Sequence, residues 1–203
     1  MNVTGVILAG GKSRRMGEDK RFLRVGEATL LARTVSVMAQ VFQEVLIVIA
    51  QDSPPLEIPG CAVLRDLIAD CGSLGGLYTG LAAATGERIF VVACDMPFLN
   101  PDMIRWFVDR DPAVDIVMAR LPSGLQPLHA LYGKRALPAF ERMAIARELR
   151  IKHIVSEPSL RTTIVLPDEW GDLDPLAQSF QNVNTPADLD AARAALRSFP
   201  SAQ

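Results

Sequence analysis

The chain has 203 residues, 49% of them hydrophobic and 22% charged, with a formal net charge of -2. That balance suits a globular domain large enough to bury one core, and it offers no broad basic field to nucleic acid or an anionic membrane. Cys61, Cys71 and Cys94 are an odd number without C-x-x-C spacing. Neither a disulfide framework nor a zinc site is indicated, and three buried thiols in a reducing compartment are expected.

In chain order, Val- and Ile-rich runs predict strands at VTGVIL (3–8), EVLIVIA (44–50), CAVL (61–64), RIFVVA (88–93) and VDIVMA (114–119). Their near-continuous hydrophobicity is that of strands covered on both faces. Helical spacing lies between them. In TLLARTVSVMAQVF (29–42), Leu31, Val35, Met38 and Phe42 recur on one side and Thr29 can cap the start; LGGLYTGLAAAT and NPDMIRWFVDR supply two more helices. HALY and TTIVLP read as strands on an edge or flap, KRALPAFERM as a helix with Pro138 inside it, and PADLDAARAAL as the closing helix. Thr185 as N-cap, Pro186 at the first helical position and Asp188 three residues after the cap specify that last start. The alternation implies an α/β domain with a mostly parallel sheet, binding its ligand beyond the carboxyl ends of the strands. One domain is expected over residues 1–198, with a disordered tail at 199–203. No window approaches the ~18 apolar residues of a membrane span, and MNVTGVILAGG lacks a signal peptide's basic and long apolar regions. A cytoplasmic protein is expected.

The stretch LAGGKSRRMGEDK (8–20) follows the first strand, at the end where ligands bind. Adjacent glycines leave amides unshielded and permit positive φ, so such a loop can wrap an anion. Its cations, Lys12, Arg14, Arg15 and Lys20 with Arg21 just beyond, suit a phosphate cradle anchored by Met16 and the FLRV run at 22–25; a flexible basic surface loop is the competing reading. A P-loop is excluded, because Gly11-Lys12-Ser13 would need glycine where Val6 stands. No G-x-G-x-x-G opens a helix after the strand, which excludes the dinucleotide fingerprint.

These residues resemble the L-A-G-G-x-x-x-R-M-G-x-D-K loop of the molybdenum cofactor guanylyltransferases, which join GMP to molybdopterin. Further segments resemble that family in order: RDLIADCGSLGGL (65–77) its D-x(5)-G-P-L-x-G block, CDMPFL (94–99) its C-D-x-P strand end, QPLHALY (126–132) its Q-P-x-x-A-L-Y block, and NVNTPADL (182–189) its N-x-N-T-P-x-D-L close. Ser73 departs from the family proline and reads as an N-cap for a helix starting at Leu74. The resemblance implies a three-layer α/β/α, Rossmann-like nucleotidyltransferase fold with a small antiparallel edge. It implies transfer of GMP from GTP to the terminal phosphate of molybdopterin with release of pyrophosphate, using Mg²⁺, with Mn²⁺ as an alternative. Leu8, Ala9, Gly10, Gly11, Lys20, Asp66, Gly72 and Asp95 match nucleotide-binding blocks; Gln126, Asn182 and Asn184 are the candidates for the molybdopterin side. Molybdoenzyme chaperones or other cofactor-biosynthesis proteins are implied as partners.

Residue chemistry agrees with that implication. Every participant in nucleotidyl transfer is anionic, so the protein must neutralise and align: Lys20 and Arg15, with amides of Ala9 to Lys12, would balance the triphosphate and the leaving pyrophosphate. Asp95, at a strand's carboxyl end, supplies one hard oxygen for a cation that takes few protein ligands, and Asn184 is the family-derived second. Taken singly, a turn-forming Asp and an Asx turn would explain these two equally well. Asp66 can accept guanine N1–H and N2–H together, with Asp70 the nearby alternative. His129 reads as a packed, hydrogen-bonded side chain, since an ionised phosphate nucleophile needs no base; Trp106 and Trp170 read as packing. The rival functions are a CTP-using or sugar-phosphate nucleotidyltransferase of the same fold, and a non-catalytic nucleotide-binding module.

Overall fold

The computed structural model describes residues 2–10 and 19–198. The loop residues Gly11, Lys12, Ser13, Arg14, Arg15 and Met16, and the tail at 199–203, lie outside the described residues.

A seven-stranded sheet forms the middle layer, in the order β5-β4-β1-β6-β8-β7-β9. Its strands are β1 (Val3–Leu8), β4 (Val45–Ile49), β5 (Ala62–Arg65), β6 (Arg88–Ala93), β7 (Ile116–Leu121), β8 (Gly124–Gly133) and β9 (Thr162–Val165). A separate two-strand antiparallel ribbon, β2 (Arg24–Val25) and β3 (Ala28–Thr29), sits before the first helix. The helices are α1 (Leu30–Ala39), α2 (Gly72–Ala83), α3 (Pro101–Val108), α4 (Leu137–Ile145), the short α5 (Pro167–Trp170) and α6 (Pro186–Ser198).

Strand alternation divides the core in two. Ile7, Phe90 and Val92 face α1 and α3, packing with Leu31, Met38 and Phe107, whereas Val6, Leu8, Ile89 and Val91 face α2 and α4, packing with Leu74, Leu77 and Phe140. A smaller cluster binds the ribbon to α6 through Leu23, Val25, Leu30, Val183 and Leu189. Thus Leu23 and Val25 anchor the downstream flank of the loop, while Phe22 in the same run is exposed. The result is the expected three-layer α/β/α fold with a mostly parallel sheet. Among the described residues no helix is long and apolar enough to cross a membrane.

Capping follows the sequence at three helices. The Thr29 hydroxyl accepts from Ala32 N at 3.2 Å, Asn100 Oδ1 accepts from Asp102 N at 2.9 Å, and Thr185 and Asp188 cap reciprocally at 3.2 and 2.8 Å.

Several details differ from the sequence reading. HALY is not at an edge: it belongs to β8, inserted antiparallel between β6 and β7, with His129 opposite Val92. Only β9, holding TTIV, is an outer strand there. A run fully buried at Ala130–Gly133 has no side-chain signal for strand direction, because neighbours on both sides bury it equally. Pro138 does not interrupt a helix, since a 3₁₀ turn over Lys134–Ala136 precedes α4 and places the proline in its first turn. Ser73 is not the cap of α2: the helix begins at Gly72 with Cys71 at the N-cap, and no side chain caps it. Cys71 and Cys94 are buried thiols, but Cys61 is only half-buried. Trp170 is buried against Phe180 and Trp106, and Trp106 carries the Arg110 guanidinium 3.5 Å above its ring, so both tryptophans are packing residues.

His129 is fully buried, with Phe90, Phe107 and Phe180 rings at 5.0, 5.2 and 4.5 Å. It is packed by aromatic rings, and among the described residues neither ring nitrogen has a hydrogen-bond partner of good geometry. Burial pushes the imidazole down to about 3, so it is neutral at physiological pH.

Candidate active site

The parallel strands β1, β4, β5 and β6 all end on one side, and their carboxyl ends open into a cleft of about 280 Å³. Their ends are tied together: Ala9 N donates to Val48 O at 2.8 Å, Asp66 N to Ile49 O at 2.9 Å and Cys94 N to Leu8 O at 3.0 Å. Gly10 is needed for close approach, because a Cβ there would stand 2.7 Å from Ala50 N. Its φ is not in the left-handed region, so the conformational freedom expected of this glycine is not what the site uses.

The cleft collects Leu8, Ala9, Gly10, Lys20, Asp66, Gly72, Asp95, Asn182 and Asn184, nine of the residues singled out from the sequence. Gln126 is not among them; its amide donates to Ser123 Oγ at 3.2 Å and Gly124 O at 3.0 Å, in the turn joining β7 and β8. Its neighbour two residues on, Leu128, does line the cleft. Gly11 and Arg15 lie outside the described residues. Asp70, the alternative to Asp66, is exposed in left-handed backbone (φ 56°) and does not line the cleft.

One wall is polar. Asn184 comes from the turn before α6, Asp95 from the end of β6 and Lys20 from a 3₁₀ turn at the end of the loop. The Lys20 ammonium donates to Asn184 Oδ1 at 2.9 Å and to Asp95 Oδ2 at 3.4 Å. Val183 N donates to Asp95 O at 2.9 Å, which fixes the asparagine turn against the aspartate. Asp174 holds the approach to that turn by accepting from Gln178 N and Ser179 N at 2.8 and 2.9 Å. Burial pushes the Asp95 carboxyl up, against the opposing pull of the Lys20 charge.

Asp19, which is not among the site residues expected from the sequence, and Arg21, expected only as a cation just beyond the loop, complete this wall; the signal that marks Asp19 is its fixed position in the loop motif. Arg21 Nε donates to both Asp19 carboxylate oxygens at 3.0 and 2.9 Å, and Nη2 donates to Oδ2 at 2.5 Å. Burial pushes Asp19 up, but the Arg21 hydrogen bonds and charge outweigh it and hold the carboxyl below its ordinary range. Residues such as Val48 and Ala93 enter only because strand ends converge, and no local sequence signal marks them.

The opposite wall holds Asp66. Its backbone is clamped by the Ile49 contact and by Gln51 Nε2, which donates to Asp66 O at 2.8 Å. Among the described residues no hydrogen bond or ion pair reaches its carboxylate, and burial pushes the group up to about 6. The first turn of α2 faces it, and Gly76 leaves the space: a Cβ there would meet Asp66 Oδ1 at 3.4 Å and Leu8 Cδ2 at 3.2 Å.

Two oxygens that converge on one cation, one carboxylate and one amide carbonyl, fit a hard divalent ion. Among the described residues no group of three or more His, Cys, Asp or Glu side chains could hold a metal. The remaining ligands of such an ion would be phosphate and water oxygens, which is the habit of Mg²⁺ in phosphate sites.

The family described as MobA-like NTP transferase domain matches residues 5–160. A Pelotomaculum thermopropionicum protein named "Probable molybdenum cofactor guanylyltransferase" is 38% identical over 193 residues, covering 95% of this chain and 93% of the relative. The "Molybdenum cofactor guanylyltransferase" of Desulfosudis oleivorans is 33% identical over 199 residues, with 96% of each chain covered. The crystal structure of molybdopterin-guanine dinucleotide biosynthesis protein A from Archaeoglobus fulgidus superposes with a TM-score of 0.82 at 22% identity, over 97% of this chain and 100% of that one. A Mycobacterium tuberculosis protein, Rv0371c, solved in complex with manganese, has the same fold at 19% identity and a TM-score of 0.62, over 82% of this chain and 88% of that one.

Proposed function

The chain belongs to the molybdenum cofactor guanylyltransferases, within the MobA-like NTP transferase family, and is a nucleotidyltransferase; for its cleft we propose the following division of labour. The enzyme transfers GMP from GTP to the terminal phosphate of molybdopterin. An oxygen of that phosphate attacks the α-phosphorus of GTP, a new P–O bond forms, the α–β bridging P–O bond breaks and pyrophosphate leaves with the electron pair. The nucleophile is already ionised, so no general base is needed and the buried, neutral His129 takes no part.

Lys20 and the backbone at Leu8–Gly10 hold the triphosphate in line and balance the charge that grows on pyrophosphate, and Arg15 assists from the loop. Asp66 accepts the guanine N1–H and N2–H in the wall between β5 and α2, where Gly72 and Gly76 leave room for the base. Asp95 Oδ2 and Asn184 Oδ1 would hold a divalent cation, Mg²⁺ with Mn²⁺ as the alternative, which when bound supplies charge neutralisation to the phosphate oxygens. Asn182 and Asn184 line the side from which molybdopterin approaches; Gln126, bonded within its own turn, would have to change partners to join them. The reaction takes place in the cytoplasm, and molybdoenzyme chaperones or other cofactor-biosynthesis proteins receive the product.

The observation that carries this reading is the separation of two chemistries in one cleft: two oxygens, from Asp95 and Asn184, converging on the Lys20 ammonium, and across from them a partly buried carboxylate without a partner among the described residues. The test is incubation with molybdopterin, Mg²⁺ and each nucleoside triphosphate in turn, measuring pyrophosphate and the mass of the product. GTP alone should support rapid release. Release with CTP instead would assign a cytidylyltransferase, and tight GTP binding without release would assign a non-catalytic module.

A further inference from the structure

The Lys20 ammonium stands 2.9 Å from Asn184 Oδ1 and 3.4 Å from Asp95 Oδ2, the two oxygens assigned above to a divalent cation. One positive charge therefore already sits at the point on which both oxygens converge. The contact is sheltered, since the Lys20 and Asp95 side chains keep only 17% and 19% of their exposure, and sheltered pairs are weakly screened by salt. A divalent cation reaching the same oxygens must break both contacts and would stand a few ångströms from a like charge unless the ammonium moved away. Lysine is built to move: its charge is compact and its four-carbon stem is flexible. Nucleotide phosphates give it another anionic partner and a reason to leave.

We infer that Lys20 is a place-holder cation, which occupies the metal position in the nucleotide-free enzyme and releases Asp95 and Asn184 only when nucleotide phosphates draw it away. The divalent metal then enters with the nucleotide rather than before it. Metal and nucleotide affinities are coupled through this one side chain, and the coupling acts equally in both directions. The inference rests on the reading of Asp95 and Asn184 as metal ligands.

The test is Mn²⁺ binding without nucleotide, read from the loss of the free-ion electron paramagnetic resonance signal. Wild type, Lys20→Met, Lys20→Gln and the double variant Lys20→Met/Asp95→Ala are compared, with circular dichroism confirming that each is folded. Both single variants should bind Mn²⁺ about ten- to a hundredfold more tightly than wild type, the span of one charge-assisted hydrogen bond. The double variant should lose that gain. If the single variants bind no more tightly than wild type while the double variant binds more weakly, Asp95 is a ligand and the place-holder role is wrong. If the double variant binds as tightly as Lys20→Met, the metal assignment itself fails and the inference falls with it.

Discussion

Protonation of Asp66 should switch guanine recognition off. The carboxylate is pushed up to about 6 by burial, and no cation pairs with it among the described residues. Guanine offers two N–H donors to an ionised acceptor, and each charge-assisted hydrogen bond is worth roughly 1.5–3 kcal/mol, so losing even one should weaken GTP at least about tenfold. The sign follows from the raised value: well above about pH 6 the acceptor is charged and recognition is full, and well below it each pH unit leaves about tenfold less of the free enzyme ionised. Between pH 7 and pH 5 the Asp66 contribution should therefore fall about tenfold. Asp95 and the phosphates also titrate, so the quantity to measure is the ratio of GTP to ATP affinity, from which shared phosphate and metal effects cancel. Isothermal titration at pH 5, 6, 7 and 8 on wild type, Asp66→Ala and Asp70→Ala should show a ratio that collapses at low pH in wild type and Asp70→Ala. In Asp66→Ala it should be small and flat. A ratio that does not change with pH in wild type, or that survives Asp66→Ala, would mean that backbone groups read the base.

Asp95→Asn removes the charged cation ligand with little change in volume, and should nearly abolish pyrophosphate release while the melting curve stays close to wild type; turnover within a few-fold of wild type sinks the assignment. Lys20→Ala should lose far more rate than Lys12→Ala, because Lys20 reaches Asp95 and Asn184 whereas Lys12 occupies a variable position of the motif; equal losses in steady-state kinetics would make the loop a diffuse basic patch. His129→Phe should raise stability by about 1–3 kcal/mol at neutral pH, since two buried ring nitrogens that find no partner among the described residues are replaced by carbon among aromatic rings. The folded imidazole, at about 3, lies below its unfolded value of about 6.5. Its neutral form is therefore favoured in the fold, and wild type loses stability as pH falls from 6.5 toward 3. The variant should lack that part of the acid sensitivity in denaturant melts, and a variant less stable than wild type at pH 7 would show that the ring nitrogens are satisfied.

What the sequence determined was everything carried by near neighbours. Strand runs, the caps at Thr29 and Thr185, and the order of the motif blocks depend on spacings of a few residues, where side-chain period and hydrogen-bonding reach leave few alternatives. Nine of the named site residues then fall into one cleft, because each block sits at the carboxyl end of a parallel strand or beside it, and the α/β layering brings those ends together. Tertiary structure alone decided what depends on pairing distant segments. The insertion of β8 between β6 and β7 turned an expected edge strand into an interior one, since full burial leaves no trace of strand direction in composition. Asp66 and Asp70 are four residues apart and chemically identical, yet only Asp66, at the carboxyl end of β5, lines the cleft, while Asp70 is exposed in left-handed backbone. Gly10 serves proximity to Ala50 rather than backbone freedom, a distinction that only the separation of β1 and β4 can draw. Lys20 meets residues 75 and 164 positions further along the chain, and that meeting shows an ammonium held between two candidate metal ligands, which no local pattern encodes.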